Sequence, residues 1–569
     1  MKKTKLFLLA LISLCFCITG VKAEEVTAKI GDNEYNTLDA AIEEAKDGDV
    51  IELINDASIE TTIAINNSIT INGNNKTITI SKLPSDDGRL SISSNVTLNN
   101  VTVDHANDND NQNAWSVYMS STGVLNLNDS TYILRIHGLY ASPEATINLN
   151  NSKLIAKDMT YTAFMQGDVE DKYAYINLFN NSLLKINDIS NSSAGNGTNW
   201  FDITADNSHI SVTDCARQGL VGGRLELKNG STADYSSNEI GFTLYELDYV
   251  IVNEGTTLNI NNNSSVGIWQ YGGEVRIKDN GTLNMTGNGF GRGIDSVGKY
   301  NGATINIANY YGNAKVVFED NATVKINNNY TRCITNRGEV YVGSMTEIMN
   351  NGLVTIDGKM IPQYGGGIYN TGIMTISKNV KLYNNHARLA GDDIYNIGTV
   401  TFSNVGEDWI LDDCEHKING WYDDAENSRW EAHDKENLHI DLIEGGEYTS
   451  VTEDGEIAGA LAIKAAHDNI GKVVINYLDS DSNKLTEEVT ITGEVGSEYT
   501  TIKKEFDDYT FIMVEGPTSG EYDFDTIYVT YYYDKNTGTG DIMPPQTGFE
   551  PSTINSSRVE VITVYKKED

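Results

Sequence analysis

The sequence predicts an all-β protein in which a long stack of short coils is followed by a small antiparallel β-domain. Three observations carry that expectation. First, Ile368-Tyr369-Asn370-Thr371-Gly372 returns 26 residues later as Ile394-Tyr395-Asn396-Ile397-Gly398. Each copy leads into an alternating run, Ile373 to Ile376 and Thr399 to Phe402, of the kind that buries one strand face. Second, pairs of apolar residues flanking one polar residue recur along the chain, as in Ile63/Ile65, Leu125/Leu127, Ile176/Leu178, Ile210/Val212, Leu258/Ile260 and Ile305/Ile307. Units this short close no core alone and must stack on their neighbours. Third, 51 Gly against 7 Pro, in a chain rich in Asn, Thr and Ile, suits many strands joined by left-handed turns.

The chain opens with the layout of an export signal. Basic Met1 to Lys5 precede an apolar run from Leu6 to Ile18, and Val21-Lys22-Ala23 predicts cleavage after Ala23, so residues 1–23 are assigned as a signal peptide. Cys15 and Cys17 follow Leu14 and Phe16, where a lipid-attachment box needs a small residue. Loss of Lys2, Lys3, Lys5 and Lys22 with the leader takes the formal charge from −39 to −43. Such a surface excludes nucleic acid and anionic membranes as partners. No later stretch reaches the ~18 apolar residues of a membrane span, so none is expected in the mature chain. Cys215, Cys333 and Cys414 remain, too few and too widely spaced for a disulfide framework or metal cluster. Buried free thiols are the simplest reading, with one disulfide plus a leftover thiol as the alternative, and no cofactor is implied.

Residues 24–430 are read as the stack with its two caps. Thr37 is placed to cap a short helix whose Leu38, Ala41, Ile42 and Ala45 share one face, with Gly48 as its stop. That helix is expected to plug the first coil. The Ile-x-x-x-Gly phrase begins at Ile268, Ile294, Ile334, Ile368 and Ile394, with offsets of 26, 40, 34 and 26 that fit coils of roughly two dozen residues carrying inserts. Asn residues beside the apolar pairs, such as Asn148, Asn150 and Asn151 or Asn259, Asn261 and Asn262, are read either as amide ladders between coils or as turn formers. The regular pattern breaks near Asp408, where Trp409, Trp421, Tyr422 and Trp430 gather among Asp412, Asp413, Asp423 and Asp424. A cap on the last coil is expected there; a carbohydrate platform or calcium site is the sharper alternative. Together these repeats resemble the right-handed parallel β-helix of the pectin-lyase-like superfamily as it occurs in bacterial surface proteins. That resemblance implies fold more than activity, because the scaffold carries lyases, hydrolases, adhesins and stalks.

Residues 431–470 are expected to connect the stack to a β-domain over 471–535, in which Val473, Ile475 and Tyr477 alternate, as do Ile527, Val529, Tyr531 and Tyr533. Tyr477-Leu478-Asp479, Asn483, Leu485, Gly493, Gly496, Tyr499 and the closing Val529 to Tyr533 resemble the mucin-binding-protein (MucBP) repeat of Gram-positive surface proteins. The resemblance implies contact with glycans or mucin. Asp479 to Asn483 imitates the start of a calcium loop, but Lys484 replaces the turn glycine and Thr490 the bidentate Glu, so a hairpin turn is expected. Residues 536–569 form a tail holding Pro544-Pro545-Gln546-Thr547-Gly548, which resembles an LPxTG-type sortase signal with Pro544 in place of Leu. In that family the Thr547–Gly548 bond would be cut and Thr547 joined to peptidoglycan. Glu550, Arg558 and Glu560 interrupt the hydrophobic span that normally follows.

No residue set nominates a catalytic centre. Gly391-Asp392-Asp393 and Arg276-Ile277-Lys278 echo polygalacturonase fragments in the wrong order, and H-E-x-x-H, G-x-S-x-G and a P-loop are missing. The expectation is a secreted bacterial cell-surface protein, adhesin or stalk, that contacts glycans through both β-units. The alternative is a polysaccharide lyase or glycoside hydrolase on the same scaffold.

Overall fold

A computed structural model describes residues 25–80, 90–105, 115–136, 138–167, 171–290, 303–353, 362–412, 417–426, 429, 442–452, 454–467, 470–523 and 525–536. Residues 1–23 and 537–569, with Asp413, Cys414 and Trp430, lie outside them. The chain divides into two compact units, 1–468 and 469–569.

The first unit is a β-solenoid. Each coil contributes a strand to three parallel ladders, here called sheets A, B and C in chain order. In sheet A, Thr146–Asn150 pairs in parallel with Ala174–Phe179, and that strand with the second half of Thr198–Asp206. In sheet B, Lys153–Met159 pairs with Leu183–Ile189, which pairs with His209–Thr213. In sheet C, Val266–Gln270, Ala303–Ile307, Arg332–Asn336, Ile368–Asn370 and Ile394–Asn396 stack in register. The alternation seen in the sequence decides which atoms leave water. Ile147, Ile176, Ile203 and Leu225 align in one inward column and are all buried. At about 1.5–3 kcal/mol per buried aliphatic side chain, such columns supply most of the stacking energy.

The register corrects one reading. Ile294 to Gly298 lies outside the described residues, and the rung after Ile268 is Ile305, followed by Ile334. The next two rungs, Ile368 and Ile394, fall as expected.

Both readings of the asparagines hold, often at adjacent positions. At the corner between sheets B and C, Asn262, Asn328, Asn350 and Asn384 adopt positive φ, which Asn tolerates better than most residues. The residues after them, Asn263, Asn329, Asn351 and Asn385, are buried and form a ladder with Asn288. Its amide steps are 3.0, 2.9, 2.8 and 2.9 Å. The ladder ends on Asp393, whose Oδ1 accepts from Asn385 Nδ2 at 2.8 Å and whose Oδ2 accepts from Ala465 N at 2.7 Å. On the outside, Asn148 links Asn126 and Asn177, while Asn151 makes a turn.

Both ends are closed. Helix α1 (Leu38–Glu44) is capped by Thr37, whose side chain accepts from Ala40 N, and it buries Leu38, Ala41 and Ile42. At the other end, Gly446–Thr449 and Leu461–Ala466 pair antiparallel to the last strands of sheets A and C. The described part of 431–470 is therefore cap and not connector: its strands end the parallel ladder that an open edge would continue. Trp409 and Trp421 meet edge to face at 5.6 Å and are buried, and Trp421 Nε1 donates to Ser403 O. Buried Arg429 ties the cap down through Asp392 at 2.6 Å and Asp424 at 3.0 Å.

The second unit is a four-stranded sheet ordered Val489–Glu494, Ile470–Asp479, Ile527–Lys535, Tyr509–Glu515. Its outer pairings are antiparallel and its central one parallel. Val473, Ile475, Tyr477, Val529, Tyr531 and Tyr533 form its core with Tyr499 and Tyr522. Gly493 is required there, because a Cβ would lie 2.2 Å from the Tyr522 ring. Asp479 Oδ1 accepts from Asp481 N and Asn483 N, which makes the expected hairpin turn.

Candidate functional site

Surface aromatic rings stack on one another on the outer face of sheet C and at the corner leading from it into sheet A. On the face, Tyr118 and Tyr140 are register partners whose rings stack at 5.5 Å, as are Tyr369 and Tyr395 at 5.5 Å. At the corner a longer stack crosses several coils: Trp200 to Tyr245 at 5.2 Å, Tyr245 to Tyr271 at 5.4 Å and Tyr271 to Tyr310 at 5.3 Å. Trp269 joins Tyr271 from the face at 5.6 Å. Coils set neighbouring rungs about 4.8 Å apart, so rings in register inherit almost that spacing.

The backbone fixes this stack. Trp200 itself has φ +62°, and Gly222 at φ +58° lies beneath its indole, where a Cβ would come within 2.5 Å of Cε3. Asp248 holds the turn of Tyr245: its Oδ2 accepts from Tyr245 N at 2.6 Å, and its Oδ1 from Gly223 N at 2.7 Å and Tyr173 Oη at 3.0 Å. Asn313 pins the loop bearing Tyr310, donating from Nδ2 to Glu246 O at 2.9 Å. Trp200, Tyr245 and Tyr271 are half-buried, whereas Tyr310 is 73% exposed next to its exposed chain neighbour Tyr311.

Beside it, Arg224 lies over the Tyr173 ring and 3.6 Å from Asp202. Burial raises the pKa of both Asp202 and Asp248. Arg224 opposes the shift at Asp202, and backbone donors oppose it at Asp248. A glycosidic acid and base need one proton-bearing and one free carboxylate flanking the bond. Here Asp202 faces a guanidinium and Asp248 is engaged by three donors, an arrangement that positions side chains.

The residues singled out from sequence fare differently. Trp409, Trp421 and Tyr422 are buried, so the cap reading holds for them and the carbohydrate platform does not. Asp392 and Asp393 are buried in the cap, while Arg276 pairs with Glu274 and Glu319. Cys215 and Cys333 are buried free thiols. Pro544, Pro545, Gln546, Thr547, Gly548 and Ala23 lie outside the described residues. The corner stack was missed because its members are 45, 26 and 39 residues apart. One signal was present: Tyr271 occupies the place just before Gly272 in the repeated phrase.

In the second unit, Val474, Asn476 and Leu478 pair with Tyr528, Thr530 and Tyr532 on the sheet face opposite the core, where Tyr528 is 63% exposed. Residues 472–534 match the MucBP domain. The chain is also similar to Internalin J of Listeria monocytogenes serovar 1/2a, 29% identical over 97 residues, which is 17% of this chain and 11% of the relative. Internalin J of serotype 4b is 29% identical over 88 residues, 16% of this chain and 10% of that protein. The chain thus spans about a tenth of the curated relatives it matches. Among the described residues no helix is long and apolar enough to cross a membrane.

Proposed function

We propose that this is a secreted bacterial surface protein of the adhesin type, in which the solenoid displays and supplements a MucBP unit that contacts mucin or other glycans. The match of residues 472–534 to the MucBP domain carries this reading. The similarity to Internalin J over 97 and 88 residues supports it. Export through a signal cleaved at Ala23, and attachment of Thr547 to peptidoglycan by a sortase, complete the proposal.

The test is binding of the secreted chain to immobilised mucin before and after enzymatic deglycosylation. Saturable binding that falls on deglycosylation, and falls again in Tyr528→Ala, is expected. Absence of saturable binding to mucin and to a glycan panel would reduce the protein to a spacer. Separation of cells into wall and medium fractions, with Thr547→Ala as comparator, tests the anchor: the variant is expected in the medium.

A further inference from the structure

We propose that the corner stack of Trp200, Tyr245, Tyr271 and Tyr310 is a second binding surface, specific for an extended, uncharged glycan. The proposal deepens the adhesive reading by assigning a ligand class to one face of the solenoid.

Four observations point to it. The first is order: three successive stacking steps of 5.2, 5.4 and 5.3 Å set the rings in a line across several coils, so that their outer edges form a strip ending in the open ring of Tyr310, which suits a chain of sugar rings better than a single one. The second is exposure. Tyr310 and its chain neighbour Tyr311 stand 73% and 51% exposed. Clustered exposed apolar surface marks interaction sites, while scattered exposed residues do not.

The third is rigidity. Gly222 under the indole, Asp248 at the Tyr245 turn and Asn313 bonded to Glu246 O hold the rings before any ligand arrives. Pre-ordered aromatic surface binds at lower entropic cost than mobile side chains. The loop bearing Tyr310 is longer than the one before it: Ile305 to Val316 spans 11 residues, against 7 between their register partners Ile268 and Val275. A stack serving only to join coils needs no ring as open as Tyr310.

The fourth is charge. Glu246 is exposed on the same corner, Asp202 already holds Arg224, and the chain carries a net charge of −39. An acidic polymer meets repulsion there, whereas neutral sugars present C–H groups to the open ring of Tyr310 and to the outer edges of the stack, and hydroxyls to the flanking polar groups.

The experiment uses the full secreted chain on immobilised uncharged glycans (chitin, cellulose and mannan oligomers) and acidic ones (polygalacturonate and sialylated oligomers). Saturable binding to at least one uncharged member is expected. Tyr310→Ala and Tyr271→Ala should each weaken it about tenfold or more, with unchanged circular dichroism. Tyr310→Phe, which keeps the ring, should stay within about threefold. Binding equal in the Ala variants, preference for the acidic set, or no uncharged ligand overturns the proposal. So does a concentration-dependent dimer that Tyr310→Ala abolishes, which would make the stack a protein contact. Mucin binding sensitive to Tyr528→Ala would survive each of these failures, so the adhesive reading is judged separately.

Discussion

Replacing Asn329 by Leu tests whether the buried amide ladder, and not the aliphatic columns alone, joins one coil to the next. Asn329 is fully buried; its Oδ1 accepts from Asn288 N at 3.0 Å and Asn288 Nδ2 at 2.9 Å, and its Nδ2 donates to Asn351 Oδ1 at 2.8 Å and Met285 O at 3.1 Å. Leucine keeps the branched shape but is bulkier than asparagine, so the change opens no cavity. It leaves the Asn288 N–H without its acceptor and removes a donor from Met285 O. Two such buried groups cost about 1–3 kcal/mol each, so a loss of about 2–6 kcal/mol is expected. Asn150 supplies the comparison: it is exposed, donating to Asn128 Oδ1 at 3.4 Å and accepting from Asn180 Nδ2 at 2.7 Å. Water replaces both partners there, and Asn150→Ala should cost no more than about 0.5 kcal/mol. Urea unfolding followed by Trp fluorescence reads both variants. Because coils are coupled mainly to their neighbours, hydrogen exchange should accelerate first around residues 285–350 in Asn329→Leu. Equal midpoints for the two variants would refute the reasoning and leave the aliphatic columns as the coupling between coils.

Three further outcomes follow from other parts of the molecule. Burial pushes the Asp393 pKa up to about 8, against about 3.9 for an unfolded Asp, so the folded cap binds its proton more tightly. The resulting stabilisation is full below about pH 4 and is lost as pH rises through 8; Asp393→Asn should flatten the decline in Tm over that range, and an unchanged profile would count against the assignment. Gly493→Ala pushes a Cβ into the Tyr522 ring, which should cost about 1–3 kcal/mol in the MucBP unit. Hydrogen exchange should rise at residues 470–535 with the solenoid amides unchanged; acceleration across both units would refute a local effect. Burial raises the pKa of the Cys215 and Cys333 thiols, so iodoacetamide should leave both unmodified in native protein and label both in denaturant, as mass mapping of their peptides would show. Labelling of either in the native state would contradict their burial.

The sequence by itself determined the local grammar of this protein. A two-residue apolar period fixes which side of each strand faces inward, and Asn residues beside the apolar pairs mark ladders or turns, a choice that the structure made residue by residue. The Thr37 cap and the alternation from Val473 to Tyr477 were legible for the same reason, since each depends on neighbours within a few positions. The tertiary structure alone decided how coils align, because inserts of variable length separate the rungs and no fixed period carries register across them. That is why the rung after Ile268 is Ile305, 37 residues on, and why the strands Gly446–Thr449 and Leu461–Ala466 proved to be a cap. It is also why two tryptophans that suggested a platform, Trp409 and Trp421, are buried, while Trp200, Tyr245, Tyr271 and Tyr310 converge on one corner. Stacking energy belongs to residues dozens of positions apart, and only a closed core with settled register brings them together.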